Sequence, residues 1–317
     1  MVLLVTTTQA LFALDTDRRE LTELDRGRGV YYGLAHADDR VWVAGRRWAY
    51  GAYPPERAQQ RGVIIEYDGA MNERRELEPP FPLRDLHQIH HGHGKLWVCS
   101  TFDDMIAVYD PETDAWDRWH PAGVPEPMET PHGPSTDLHH FNSFWHDDAS
   151  VYALANKKGS GTIHRFDAST LAPIGTTELG AGAHNVWGES GDLFTLSSKD
   201  GRLLSTGGTD IAIGGFVRGV VCPPRATALN RYVGVSSRAP RAERATSDAA
   251  ILEFDADWRP TGVTFPIPGE GMVHDLRAPG TPDLAHPGVV GSSINAAALR
   301  PGEPRQPVPE TGPEARV

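Results

Sequence analysis

The apolar residues of this chain fall in short runs separated by Gly, Pro and Asp, a pattern of strands and tight turns. Four runs share one form: Val41-Trp42-Val43, Leu96-Trp97-Val98, Val151-Tyr152-Ala153 and Leu193-Phe194-Thr195. Nine residues ahead of each stands, in turn, Tyr32, His87, Asn142 and His184. That spacing holds one strand, a turn and the entry to a second strand. Two looser copies follow, 216–220 carrying Arg218 and 272–276 carrying His274. The six anchors step by 55, 55, 42, 34 and 56 residues, near the roughly 40–50 residues of a four-stranded propeller blade.

Behind the triplets, segments 64–68, 106–110, 163–167 and 251–255 read as third strands, each ending in Asp. The turn Asp110-Pro111-Glu112-Thr113-Asp114 leads to a fourth, outer strand. At the start of the chain, 3–8, 10–15 and 20–24 look like strands two, three and four of a blade that lacks its first. The region around His274 supplies that first strand. The expected fold is therefore all-β: a six-bladed β-propeller whose last blade is closed by N-terminal strands, which removes the open sheet edges. Residues 1–300 are expected to form this single domain, with 288–299 as a further edge strand and the Pro-rich 301–317 as a disordered tail. Two long connections, 46–62 and 120–137, fit either lids over a site or plain surface elaboration.

Composition narrows the function. The 33 Gly and 26 Pro suit frequent turns, and a net charge of −12 argues against nucleic acid as a partner. Cys99 and Cys222 have no metal-binding or disulfide-framework spacing, which points to a reducing, cytoplasmic setting. The apolar start reaches Asp15 without a basic leader, so strands are expected there rather than a signal peptide. No apolar run approaches the ~18 residues of a membrane span. There is no nucleophile elbow, P-loop or dinucleotide fingerprint.

Most of the 14 His lie between residues 87 and 146. The first strand of each propeller blade lines the central channel, so Tyr32, His87, Asn142, His184, Arg218 and His274 are expected to meet on the axis. His87, His184 and His274 fall in alternate blades, and three converging imidazoles suit one divalent ion: iron, copper, manganese or zinc. His140, two residues before Asn142, is a candidate fourth ligand. Because Asp137-Leu138-His139 repeats Asp85-Leu86-His87, a longer turn would put His139 in the ring instead; the recurrent nine-residue spacing favours Asn142. Arg218 suits a carboxylate or phosphate, or else pairs with Asp85 or Asp275. Tyr32 is a candidate proton donor or acceptor, or a channel-lining aromatic, and Asn142 a substrate contact. Asp275 is placed to orient a ligand from a neighbouring blade. His36, His91 and His146, each four residues past a ring position, read as structural turn residues.

The segments Asp85-Leu86-His87, His140-Phe141-Asn142-Ser143-Phe144, Ala183-His184 and Gly215-Phe216-Val217-Arg218-Gly219-Val220, with Val233-Gly234-Val235-Ser236-Ser237, resemble the bacterial propeller-like proteins of the DUF4915 type over roughly residues 30–280. The resemblance implies the propeller fold and little about activity. This chain departs from the family pattern at Tyr32 and His274.

Three functions follow as expectations. The first is a metal-dependent enzyme of the lyase or elimination type acting on a small anionic substrate, with Arg218 as anchor and Tyr32 moving a proton. The second is an iron or copper oxygenase or oxidase built on the same histidines. The third is a non-enzymatic propeller that binds a ligand or a protein.

Overall fold

The computed structural model describes residues 1–47, 61–121, 137–156 and 159–287. The expected edge strand at 288–299, the 301–317 tail and most of the two long connections lie outside these residues. Within them, 24 strands form six four-stranded antiparallel sheets. The chain opens with β1 (Val2–Thr7), β2 (Ala10–Asp15) and β3 (Glu20–Arg26). Blade 1 is β4 (Val30–Ala37), β5 (Arg40–Arg46), β6 (Gly62–Asp68) and β7 (Glu73–Leu77). Blade 2 is β8 (Leu86–Gly92), β9 (Lys95–Ser100), β10 (Met105–Asp110) and β11 (Ala115–Trp119). Blade 3 is β12 (Phe141–His146), β13 (Ser150–Ala155), β14 (Ser160–Asp167) and β15 (Pro173–Ala181). Blade 4 is β16 (Ala183–Glu189), β17 (Asp192–Ser197), β18 (Arg202–Ser205) and β19 (Asp210–Ala212). Blade 5 is β20 (Phe216–Val221), β21 (Arg231–Ser236), β22 (Ala249–Phe254) and β23 (Pro260–Ile267).

The last strand, β24 (Val273–Arg277), pairs with β1, Val5 facing Leu276 and Leu4 facing Arg277. Blade 6 thus reads β24-β1-β2-β3. The inner strands touch in ring order, with β24 against both β20 and β4. This is a six-bladed β-propeller closed by its N-terminal strands.

The core lies between blades. Two residues past each ring position stands Leu34, Ile89, Phe144, Val186, Val220 or Leu276, all buried. Trp42 and Trp187 fill inter-blade space with no exposure. The acidic residues closing the third strands are turn devices. Asp68 Oδ1 accepts the amides of Ala70 and Asn72, Asp167 Oδ1 those of Ser169 and Thr170, and Asp255 Oδ1 those of Asp257 and Arg259. Hydrogen bonds from Ser169 and Thr170 bring the Asp167 carboxyl down to about 2.

Candidate functional site at the propeller axis

All six ring residues line one cavity: Tyr32, His87, Asn142, His184, Arg218 and His274. It is small, with space for one water or ion. Asn142 is the ring member from blade 3, so the nine-residue register holds. His139 lies outside the cavity lining, its amide bound to the Asp104 carboxylate at 3.1 Å.

The ring residues are aimed by a bulge repeated in every inner strand. In β8, Leu86 faces Ser100 and Ile89 faces Val98, so His87 and Gln88 share one partner position. The same slip falls at Tyr32-Gly33, Asn142, Asn185, Gly219 and His274. A bulge breaks the in–out alternation and redirects the side chain at that point.

The residue following each ring position joins its blade to the next. Gln88 Oε1 accepts the Phe144 amide at 2.9 Å, and Ser143 Oγ the Asn185 amide at 2.8 Å. Asn185 Oδ1 accepts the Gly219 amide at 2.9 Å, and Asp275 Oδ2 the Leu34 amide at 3.0 Å. In the remaining two blades this position is glycine. A Cβ on Gly33 would stand 2.4 Å from Ile89 N, and Gly219, at φ +74°, lies against the Asp275 backbone. Asp275 is therefore an inter-blade clasp, also paired with Arg277 at 2.6 Å, and no imidazole is among its hydrogen-bond partners. This corrects its expected role as an orienter of a ligand.

The protons on the imidazoles follow from their partners. His87 Nδ1 lies 3.0 Å from the Asp85 carbonyl, which only accepts, so Nδ1 carries the hydrogen and Nε2 the lone pair. His184 Nδ1 meets Ser198 Oγ at 2.8 Å, while that hydroxyl donates to the Val217 carbonyl at 2.6 Å. His184 therefore donates as well, and its buried Nε2 has no partner. His274 is the reverse. Arg218 donates to its Nδ1 at 3.2 Å, so Nε2 donates to Thr8 Oγ1 at 3.2 Å. Burial holds all three imidazoles well below the usual histidine range, and the Arg218 charge pushes the same way.

Tyr32 Oη receives Arg46 Nη1 at 3.0 Å, which leaves the phenol hydrogen to be donated elsewhere. Arg46, on β5, also pairs with Asp85 at 3.2 Å. It was not legible as a site residue, because it comes from a second strand rather than from the repeated first-strand position. Asn142 donates to the Ala183 carbonyl at 2.8 Å, and its buried Oδ1 has no partner.

The three-histidine ion site does not fit this arrangement. The lone pair of His274 is taken by a cationic guanidinium, so that residue offers none to a metal. Among the described residues, no group of three or more His, Cys, Asp and Glu is placed to hold an ion. His140 sits at the rim: its φ of +60° and the bulge at Asn142 break the alternation that aligned the two side chains. It does not line the cavity; its Nδ1 lies 2.9 Å from Asp137 Oδ1, with its ring centre 5.1 Å from that of His87.

No protein-family model matches the sequence, and no curated protein does. Solved structures match at the level of fold. A chain of a nidogen/laminin complex superposes with a TM-score of 0.59 at 12% identity, covering 87% of this chain and 97% of that one. A putative 6-phosphogluconolactonase from Bacteroides fragilis NCTC 9343 gives 0.54 at 11% identity, with the same 87% and 97% coverage. At such identities the likeness is one of architecture. Among the described residues, no helix is long and apolar enough to cross a membrane.

Proposed function

We propose that the axial cavity is the reaction centre of an enzyme that moves protons on a small anionic substrate seated at its mouth, with only the reacting atom or a water entering the cavity, in an elimination, hydration or hydrolysis. The observation that supports it most is the pair of neutral imidazoles, His87 and His184, each locked through Nδ1 with its Nε2 lone pair left for the cavity. A neutral imidazole with an unshared lone pair can serve as a general base, here one whose basicity burial has lowered. In this reading His184 Nε2 takes a proton from a substrate carbon or from water. Arg218 faces the substrate carboxylate or phosphate, and Asn142 Oδ1 receives a substrate hydroxyl. Tyr32 returns a proton to the leaving oxygen, with the Arg46 charge beside the phenolate that remains.

The test begins with small sugar acids and their phosphates and lactones, 6-phosphogluconolactone among them because of the neighbouring fold. The measurements are thermal shift and turnover. His184→Gln is expected to lower kcat about 10²–10⁴-fold, the usual worth of a positioned base, with little change in melting temperature. A panel without a single ligand, or a His184→Gln enzyme of unchanged rate, refutes the reading.

A divalent ion is the second reading, in a form that omits His274. Its support is that His87 and His184 each direct Nδ1 to a fixed oxygen, as metal-ligating histidines do with the nitrogen that does not bind, which would leave the other positions to water and substrate. Elemental analysis of untagged protein decides it: about one equivalent of metal, lost in His184→Ala, would favour the ion.

A further inference from the structure

A second group of histidines lies at the other end of the inner strands. His36, His90 and His146 stand three to four residues past their ring positions, roughly 10–13 Å along the strand at ~3.3 Å per residue. They are not turn residues open to solvent. Exposure is 3% for His36, 1% for His90 and 7% for His146, and among the described residues no ring nitrogen of the three makes a well-formed hydrogen bond. His91, read with them, stacks on Trp42.

The chain after β24 crosses this end. In segment 278–287, Leu284 N donates to the Cys222 carbonyl at 2.8 Å, and Asp283 Oδ1 accepts the Cys222 amide at 2.9 Å. The Trp145 indole donates to the Leu284 carbonyl at 2.9 Å. These bonds fasten the segment to blades 3 and 5. Its His286, 5% exposed, makes no well-formed hydrogen bond among the described residues, lies by the Val220 carbonyl, and packs 5.8 Å from the His90 ring.

We propose that segment 278–287 is a pH-sensitive latch, closed over the channel at neutral pH and released on acidification when His36, His90 and His286 take up protons. Every element around the cluster bears on the sign. β4 brings His36; β8 brings His90 and His91, and the turn after it His93; and β12 brings His146, with Asp147 and Asp148 beyond it. β24 adds the buried Arg277, held to Asp275, and the segment itself adds Asp283. The chain just after β20 contributes the Cys222 thiol, with Glu189 and Arg231 behind it. Cation thus faces cation: protonating any one imidazole puts a charge beside Arg277 or another histidine. The cluster tolerates only neutral rings while closed.

Burial brings the His36 imidazole down to about 3 and holds His90 and His286 well below their usual range. Once freed, His286 returns to about 6.5, and His36 and His90, exposed to water but still beside Arg277, rise toward it. The open form then binds more protons than the closed one below that pH, so closure weakens as pH falls. Asp283 opposes this. Burial raises its carboxyl to about 6, and on opening it gives that proton back. His146 packs on His93 and His90 rather than on the segment and keeps its surroundings on release, so three protons gained and one lost leave up to about two. The open-to-closed ratio should therefore rise by up to about 100-fold per pH unit between roughly pH 6 and pH 4.

Hydrogen–deuterium exchange on the full chain tests this, with each rate corrected for the intrinsic effect of pH. Peptides covering 278–287 should lose protection at about that slope while β8 and β12 keep theirs. His286→Gln, which removes one titrating ring, should reduce the slope to about tenfold per unit. Should that variant fail to fold, the unmodified protein still decides. Corrected protection independent of pH, or loss of 278–287 and β8 together, overturns the latch, as does an unchanged slope in folded His286→Gln.

Discussion

Replacing Asp275 by Ala should cost far more than one surface ion pair. The residue is 1% exposed and its side chain performs three tasks: it accepts the Leu34 amide of blade 1, accepts the Leu276 amide and holds Arg277. Burial pushes its carboxyl up even with Arg277 alongside, so the pair is no large net gain over water. The cost of the mutation lies in what is left behind. Removing one partner of a buried pair costs about 3–5 kcal/mol, and an orphaned amide about 1–3 more. Arg277 keeps the Leu276 carbonyl at 2.7 Å and Ile89 at 3.2 Å, which trims the total to about 4–6 kcal/mol. At roughly 2–3 °C per kcal/mol for a chain of this size, the melting temperature should fall by about 10–15 °C. Urea unfolding followed by tryptophan fluorescence gives the free energy directly. If the loss comes from stranding Arg277, then Asp275→Ala with Arg277→Met should recover a good part of it. A single-variant loss under about 1 kcal/mol, or strict additivity in the double variant, would refute the clasp.

Two further variants probe other joints. Gly33→Ala forces a methyl into the Ile89 amide and the His87 carbonyl, both backbone; it should destabilise by about 1–3 kcal/mol, read as a lower melting temperature, and should displace His87. Asp167→Ala removes the acceptor of the blade 3 turn. Because the folded carboxyl sits near 2, below its unfolded value near 3.8, its stabilisation is present above that value and is lost as pH falls toward 2. Melting curves of wild type and variant should therefore converge between about pH 4 and pH 2, and Asp167→Asn, which keeps an acceptor, should resemble wild type at neutral pH.

The strands and the six ring positions were legible because they repeat. A blade needs the same apolar triplet and the same turn each time, and a nine-residue interval survives differences in the loops. Asn142 rather than His139 came out correctly for that reason. What failed to show was whatever depends on neighbours distant in the chain. The position of His274 could be read, but its lone pair is claimed by Arg218, 56 residues earlier, and its N–H by Thr8 at the opposite end of the sequence. His140 was misplaced because strict alternation was assumed through a bulge. A clue to that bulge was present, since the residues after the ring positions are Gly33, Gln88, Ser143, Asn185, Gly219 and Asp275. None is apolar, in strands otherwise buried on both sides. His36 and His146 looked like turn residues because each lies near the end of a strand; the segment that covers this end arrives only after β24.

The pairing of β1 with β24 also sets an order of events during synthesis. β1 to β3 emerge long before β24 and lack the strand against which their sheet is completed until the ribosome has made residue 277. For that interval β1 exposes a row of unpaired backbone groups on an apolar segment, Val2–Thr7, a template for another chain. The closing contact spans some 270 residues, so its loop-closure entropy must be met late, by the five blades already packed. A circular permutant that joins β24 directly to β1 would make that contact local. It should refold faster and aggregate less at the same final stability.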